Sequence, residues 1–237
     1  MFPDFKDARV LVVGGSSGIG LAAAGAFAAH GARVTVASRS QEKVEAAARG
    51  IGGAVAAVLD ITDDASVERF MQGAEPWDHV VISAAQTPTG AVRQLPLADA
   101  YAAMNSKFWG AYRVARLVPV KPGGSLTLVS GFLAVRPSKT SVLQGAINAA
   151  LEALGRGLAV ELSPVRVNTV SPGLIATPLW NKLDAATREA MYKNVGERLP
   201  AQRVGQPEDV ANAILYLAGT GFATGSTVLV DGGGAIG

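Results

Sequence analysis

Cysteine is absent from the 237-residue chain, which excludes disulfides, thiolate metal sites and a cysteine nucleophile. Histidine is almost absent. His30 and His79 lie far apart, so no histidine-built metal centre is expected. A surplus of one charge is missing too: 21 Lys and Arg stand against 19 Asp and Glu, a formal charge of +2. That leaves no basic stripe for a nucleic acid. No apolar run reaches membrane-spanning length without a charge or glycine break. The opening "MFPDFKDARVLVVGG" has no charged-then-apolar leader, so no signal peptide is expected. The expectation is a soluble, cytoplasmic protein with no metal, nucleic-acid or membrane partner.

What is present is core-forming sequence, 49% hydrophobic and only 17% charged, with a mean hydropathy of +0.28. One globular domain over 1–237 follows from that length. Short β-branched runs alternate with alanine-rich stretches. The strand candidates are "RVLVVG" (9–14), "RVTVAS" (33–38), "AVAAVLD" (54–60), "HVVIS" (79–83), "SLTLVS" (125–130), "VRVNTV" (165–170) and "TVLVDG" (227–232). They are continuously apolar rather than alternating, as in parallel strands covered on both faces. Helices are expected at about 18–30, 41–49, 64–73, 97–118, 142–162 and 207–219. The pattern predicts an α/β fold, a doubly wound, Rossmann-type parallel sheet of about seven strands flanked by helices. The least regular long segment, about 174–206, follows a late strand and suits a substrate lid.

"VVGGSSGIG" joins the first strand to the first helix. Gly14 permits a tight turn, Gly18 lets the backbone approach a phosphate, and Gly20 lets helix and strand pack closely. The helix N-terminus then offers N–H groups and positive dipole to a pyrophosphate, the other reading being a glycine turn without a ligand. The second strand ends in Ser38 and Arg39, with no acid in "VASRSQ" until Glu42. A hydroxyl and a guanidinium suit a 2′-phosphate, so NADP(H) is expected over NAD(H). An ordinary solvated arginine is the competing reading.

At this point the chain resembles the short-chain dehydrogenase/reductase family from about Asp7 to Gly232. The resemblance rests on "GGSSGIG", "LDIT", "MNSKFWGAYRVAR" with Asn105, "GSLTLVS", "LAVELSPVRVNTVSPGLIATP", "QRVGQPEDVANAILYLA" and "ATGSTVLVDGG". It implies a nicotinamide cofactor and a homotetramer built on the helices near 97–118 and 142–162. Phe108, Trp109, Leu151, Leu154 and Leu158, spread over more than one stripe, fit such an assembly. It also implies cofactor contacts from Gly14, Ser16, Ser17, Gly18, Ile19, Gly20, Ser38, Arg39, Asp60, Ile61, Ser83, Ala84, Ala85, Asn148, Pro172, Gly173, Ile175 and Thr177.

The departures fall at the catalytic positions. The family's Tyr-x-x-x-Lys lies on Gln144 and Asn148, and no tyrosine occurs between Tyr112 and Tyr192. The family's serine falls on Gly131, with Ser130 one residue earlier; Asn-Asn-Ala-Gly reads Ser83, Ala84, Ala85, Gln86. Of the usual tetrad Asn105 stays in place. An amide has no proton to give near neutral pH, so Gln144 cannot act as the phenol does, and Asn148 brings no charge.

Three functions compete. The first is an oxidoreductase with Asn105, Ser130, Gln144 and Asn148 at its catalytic end, reducing an activated C=C, C=N or carbonyl group, with a proton from water or Tyr192. The second is a catalytically inactive dinucleotide-binding regulator or partner subunit. The third is a non-redox lyase or isomerase. Ser130 either orients a substrate or is a satisfied buried serine. Lys139 either replaces the lost cation or is a solvated loop lysine. Gln86 is expected over the nicotinamide side. Trp180 and Tyr192 either line an apolar or aromatic substrate pocket or pack the lid on the body.

Overall fold

A computed structural model describes residues 4–237. The apolar runs form β1 (Arg9–Val13), β2 (Arg33–Ser38), β3 (Val55–Val58), β4 (Trp77–Ile82), β5 (Val120–Val129), β6 (Arg166–Pro172) and β7 (Thr227–Val230). They pair in parallel as one seven-stranded sheet in the order β3-β2-β1-β4-β5-β6-β7. The order reverses between β1 and β4, which opens a crevice at the carboxyl ends of those two strands.

Between the strands lie α1 (Gly18–Ala29), α2 (Gln41–Gly50), α3 (Asp64–Met71), α4 (Leu97–Met104), α5 (Gly110–Leu117), α6 (Val142–Glu161), α7 (Ala185–Gly196) and α8 (Pro207–Gly219). One core, with Val10, Val12, Phe27, Val36, Ile214 and Leu215, fills the sheet face under α1, α2 and α8. The other, with Leu11, Val80, Val114, Leu126 and Leu151, fills the face under α3, α5 and α6. Each face is therefore apolar, as continuous rather than alternating strands require. At the β6 end the buried Arg166 gathers carbonyls beyond and at the end of α8: Nη1 donates to Leu217 at 2.7 Å and Thr220 at 2.9 Å, and Nη2 to Ala218 at 2.5 Å. A cation on the carbonyls at this helix end ties it to the sheet.

Three expectations need correction. The helix expected over 97–118 is broken by a π-helical turn at Asn105–Trp109 between α4 and α5. Asn105 Nδ2 donates to the Thr62 carbonyl at 3.4 Å, while Ser106 and Lys107 are both buried. Three successive residues cannot all reach inward from a regular helix, and the widened turn lets them do so. The segment expected as a lid is more regular than anticipated, because α7 runs through it. Asp184 accepts from the Thr187 N–H at 3.0 Å and starts that helix. The apolar stripes are also narrower: Leu151 and Leu158 are buried within the chain's own core. On α4, α5 and the turn between them the exposed aromatics are Trp109, as expected, with Tyr101 and Tyr112 beside it in sequence.

His79 on β4 sits edge-on to Phe5 and stacked on Phe27, with Nδ1 2.9 Å from Ser125 Oγ. Burial lowers its pKa to about 4, and the Arg166 charge pushes the same way. The unfolded chain takes up this proton near its ordinary value, so stability is complete above about pH 6.5 and is lost as pH falls toward 4. The loss should reach roughly 2–3 kcal/mol in urea unfolding between about pH 7 and about pH 4.5. In His79→Gln, which keeps a polar partner for Ser125, the pH slope should flatten. An unchanged slope would assign the acid sensitivity to other groups.

Candidate functional site

The crevice is built from the turn after β1 outward. Gly14 has φ +85, and a Cβ there would stand 2.5 Å from the Ala84 backbone nitrogen. At Gly20 a Cβ would stand 2.2 Å from the Gly14 carbonyl oxygen. Only glycine permits both approaches, so helix α1 starts directly against the turn. Gly18, with φ +53, faces Thr177 from across the crevice, its Cβ position 3.3 Å from the threonine Cβ.

Helix α1 begins with no side-chain cap from Ser17 and no acid in its first turn. By contrast, Ser40, Asp63 and Asp184 cap α2, α3 and α7. The unpaired N–H groups and positive dipole of α1 are thus left to an anion, beneath a turn with no side chain in the way. This cradle fits a dinucleotide's phosphates.

The structure gathers the expected cofactor residues along the carboxyl edge of the sheet, though several point elsewhere. Ser83 Oγ donates to the Val13 carbonyl at 3.1 Å and supports the turn from behind. Ile61 and Ile175 bury their side chains in the core, leaving their backbones alone at the edge. Pro172 is also buried. Asp60 Oδ1 accepts from the Thr62 N–H and hydroxyl at 2.9 and 2.7 Å. Ser38 is half-buried at the β2 end, beside the exposed Arg39. Arg39 Nη2 donates to Gln86 Oε1 at 3.0 Å, and the Gln86 N–H donates to Ser106 Oγ at 2.6 Å. Gln86 therefore reaches toward the β2 end, not over the side where a nicotinamide was expected.

The opposite end holds the two amides, four residues apart on α6. Gln144 is half-buried, and its amide has no hydrogen-bond partner among the described residues. Asn148 is buried, and its Oδ1 accepts from Lys107 Nζ at 2.6 Å. The same ammonium donates to the Ser130 carbonyl, also at 2.6 Å. Lys107 is 8% exposed; burial lowers its pKa to about 8, and the Glu152 carboxylate opposes that fall. Glu152 Oε1 accepts from Ser130 Oγ at 2.8 Å and from Ser171 Oγ at 2.9 Å. Ser130 is thus a satisfied buried serine, not a group aimed at substrate, and the catalytic assignment to its hydroxyl is corrected. Asn148 likewise gives its acceptor to a lysine, which leaves only its N–H end for a ligand.

Lys139, the sequence candidate for a replacement cation, is exposed on its loop. Lys107 was missed, although a signal existed: it interrupts the apolar stripe Ala103, Ala111, Val114, all buried. A lysine at that spacing is either paired or costly. In the 174–206 segment, Trp180 Nε1 donates to the Ile175 carbonyl at 2.9 Å, which is the packing reading; Tyr192 is half-buried.

Residues 13–234 match the family described as Enoyl-(Acyl carrier protein) reductase. A short-chain dehydrogenase/reductase of Stachybotrys chlorohalonatus is 32% identical, over 98% of each chain. The 3-oxoacyl-[acyl-carrier-protein] reductase of Thermotoga maritima is 31% identical, over 94% of this chain and 96% of its own. A crystal structure of a small-chain dehydrogenase in complex with NADPH is 35% identical and superposes with a TM-score of 0.85, over 98% of this chain and 100% of the other.

A Cβ at Gly131 would lie 2.7 Å from Asn148 Nδ2. Because Lys107 holds the Asn148 amide, that amide cannot swing freely aside. Gly131→Ser should therefore cost about 1–3 kcal/mol in urea unfolding. In a double-mutant cycle with Asn148→Ser the two changes should cost less together than the sum of each alone, by at least about 0.5 kcal/mol. Strict additivity would show that the two side chains do not compete for this space.

Proposed function

The chain belongs to the short-chain dehydrogenase/reductase family, and from that premise we propose an NADP(H)-dependent oxidoreductase that works without the family's Tyr–Lys pair. The observation that carries this reading is the uncapped, acid-free N-terminus of α1 behind a glycine turn, facing Thr177. The NADPH held by a 35%-identical relative supports it. Gly14, Ser16, Ser17, Gly18, Ile19 and Gly20 would hold the pyrophosphate. Ser38 and Arg39 would meet the 2′-phosphate, with Arg39 released from Gln86. Asp60 and the Ile61 backbone would meet the adenine, while Ala85, Gly173 and Thr177 would border the crevice.

When bound, the reduced nicotinamide supplies a hydride, and the chain's own residues do the rest. The free amide of Gln144 donates a hydrogen bond to a polarised acceptor and so orients it. It releases no proton, so the proton comes from water or from Tyr192 of the lid. That division of labour suits an activated C=C, C=N or carbonyl group on a small, apolar or aromatic molecule. A second reading, dinucleotide binding without turnover, is favoured by Ser130 and Asn148, whose acceptor or hydroxyl groups are spent on Glu152 and Lys107.

NADPH should be consumed in step with an acceptor from a panel of enones, imines and activated ketones. Binding without consumption across the panel would support the second reading. NADPH should bind more tightly than NADH, and Arg39→Ala should narrow the difference by about tenfold, as expected for a charge-assisted phosphate contact. Equal affinities for the two cofactors in the wild type would remove the case for NADP(H). We also propose a homotetramer, with Tyr101, Trp109 and Tyr112 among the covered residues. Light scattering should give four times the chain mass at micromolar concentration; a monomer mass would overturn it.

A further inference from the structure

Resting on the reading that a nicotinamide dinucleotide binds here, we propose that Lys107 is a positioning residue that supplies the site's positive charge through the Asn148 amide. The geometry is that of a relay. Nζ lies 2.6 Å from Asn148 Oδ1, so the ammonium pulls on the oxygen end of that amide and makes its N–H end a stronger donor. The N–H end is turned toward Gly131, where a Cβ would come within 2.7 Å of it. Gly131 follows β5 at the carboxyl edge of the sheet, the edge that borders the crevice. With no side chain at Gly131 to take up that N–H end, it is left to a hydroxyl acceptor of the ligand.

The surroundings of Lys107 are arranged to keep one charge and no more. From the residue after β5 comes the Ser130 carbonyl. From α6 come Asn148 and the Glu152 carboxylate, which among the described residues is the one charged side chain that acts on it. Glu152 is in turn held by the hydroxyls of Ser130 and, from β6, Ser171. The carboxylate favours the ammonium, and burial opposes it, leaving Lys107 to titrate at about 8. The charge is present at neutral pH and is lost just above it. A lysine with purely structural duties would affect folding but would not couple its protonation to a ligand.

The test is a fluorescence titration of the full chain with NADPH and with NADH, at about pH 7 and about pH 9. In the wild type both dissociation constants should rise about five- to tenfold with pH, as one charge-assisted contact is lost. NADH must show the rise too, because the effect concerns the nicotinamide end and not the 2′-phosphate. Lys107→Met should bind both weakly at the two pH values, without the rise. Lys107→Arg keeps its charge throughout, so its affinity should not change between them; it carries the test if the methionine variant fails to fold. A rise that persists in either variant, or wild-type affinity in Lys107→Met at about pH 7, would overturn the role of Lys107 alone. A wild type that binds neither dinucleotide would overturn the cofactor reading, and this inference with it.

Discussion

The approach of α1 to the turn after β1 is the constraint on which the crevice depends. Side chains at Gly14 or Gly20 would drive the helix from the sheet, or the Ser83–Ala84 backbone from the turn. With both absent, the first N–H groups of α1 stand at the point where the strand order reverses. Ser83 fixes the turn from behind, and Gly18 and Thr177 bring its rim close to the start of the 174–206 segment. The end of β2, that segment and the amide-bearing end of α6 then all take their places along the carboxyl edge of the sheet.

Much of this was legible in the residues because it depends on local rules. Strands buried on both faces leave continuous apolar runs, and glycines forced by backbone contact leave a fixed spacing. The family's ordered motifs also located the two amides of α6. What was not legible depends on direction. A sequence shows that Asn105, Ser106 and Lys107 are adjacent, but not that a π-helical turn aims all three inward. Ser130 lies at the expected place, yet its hydroxyl turns to Glu152, a partner 22 positions away. Gln86 bends to Arg39 because the crevice brings the ends of β2 and β4 together, which no local pattern records.

Within the chain, the polar groups at this end form a connected set. Lys107, Asn148, Ser130, Glu152 and Ser171 satisfy one another across α6, β5, β6 and the π-helical turn. Such a set is rigid because each buried group that lost its partner would be left unsolvated. Gln144, a single turn away, is outside it and has no partner of its own among the described residues. This end therefore combines a fixed foundation with two amide N–H ends, those of Gln144 and Asn148, that it does not use.

The contact between Gly131 and Asn148 also bears on how such a chain can change over generations. Serine at 131 first would press on an amide that is pinned from behind. Lysine at 148 first would bring a second ammonium against the one already buried. Tyrosine at 144 first would stand without the paired lysine that lowers a phenol's proton affinity. Each single change of this kind meets an obstacle that the neighbouring residues create. Positions 131, 144 and 148 would therefore have to change together with 107, and stepwise variation there is channelled toward what an amide can do.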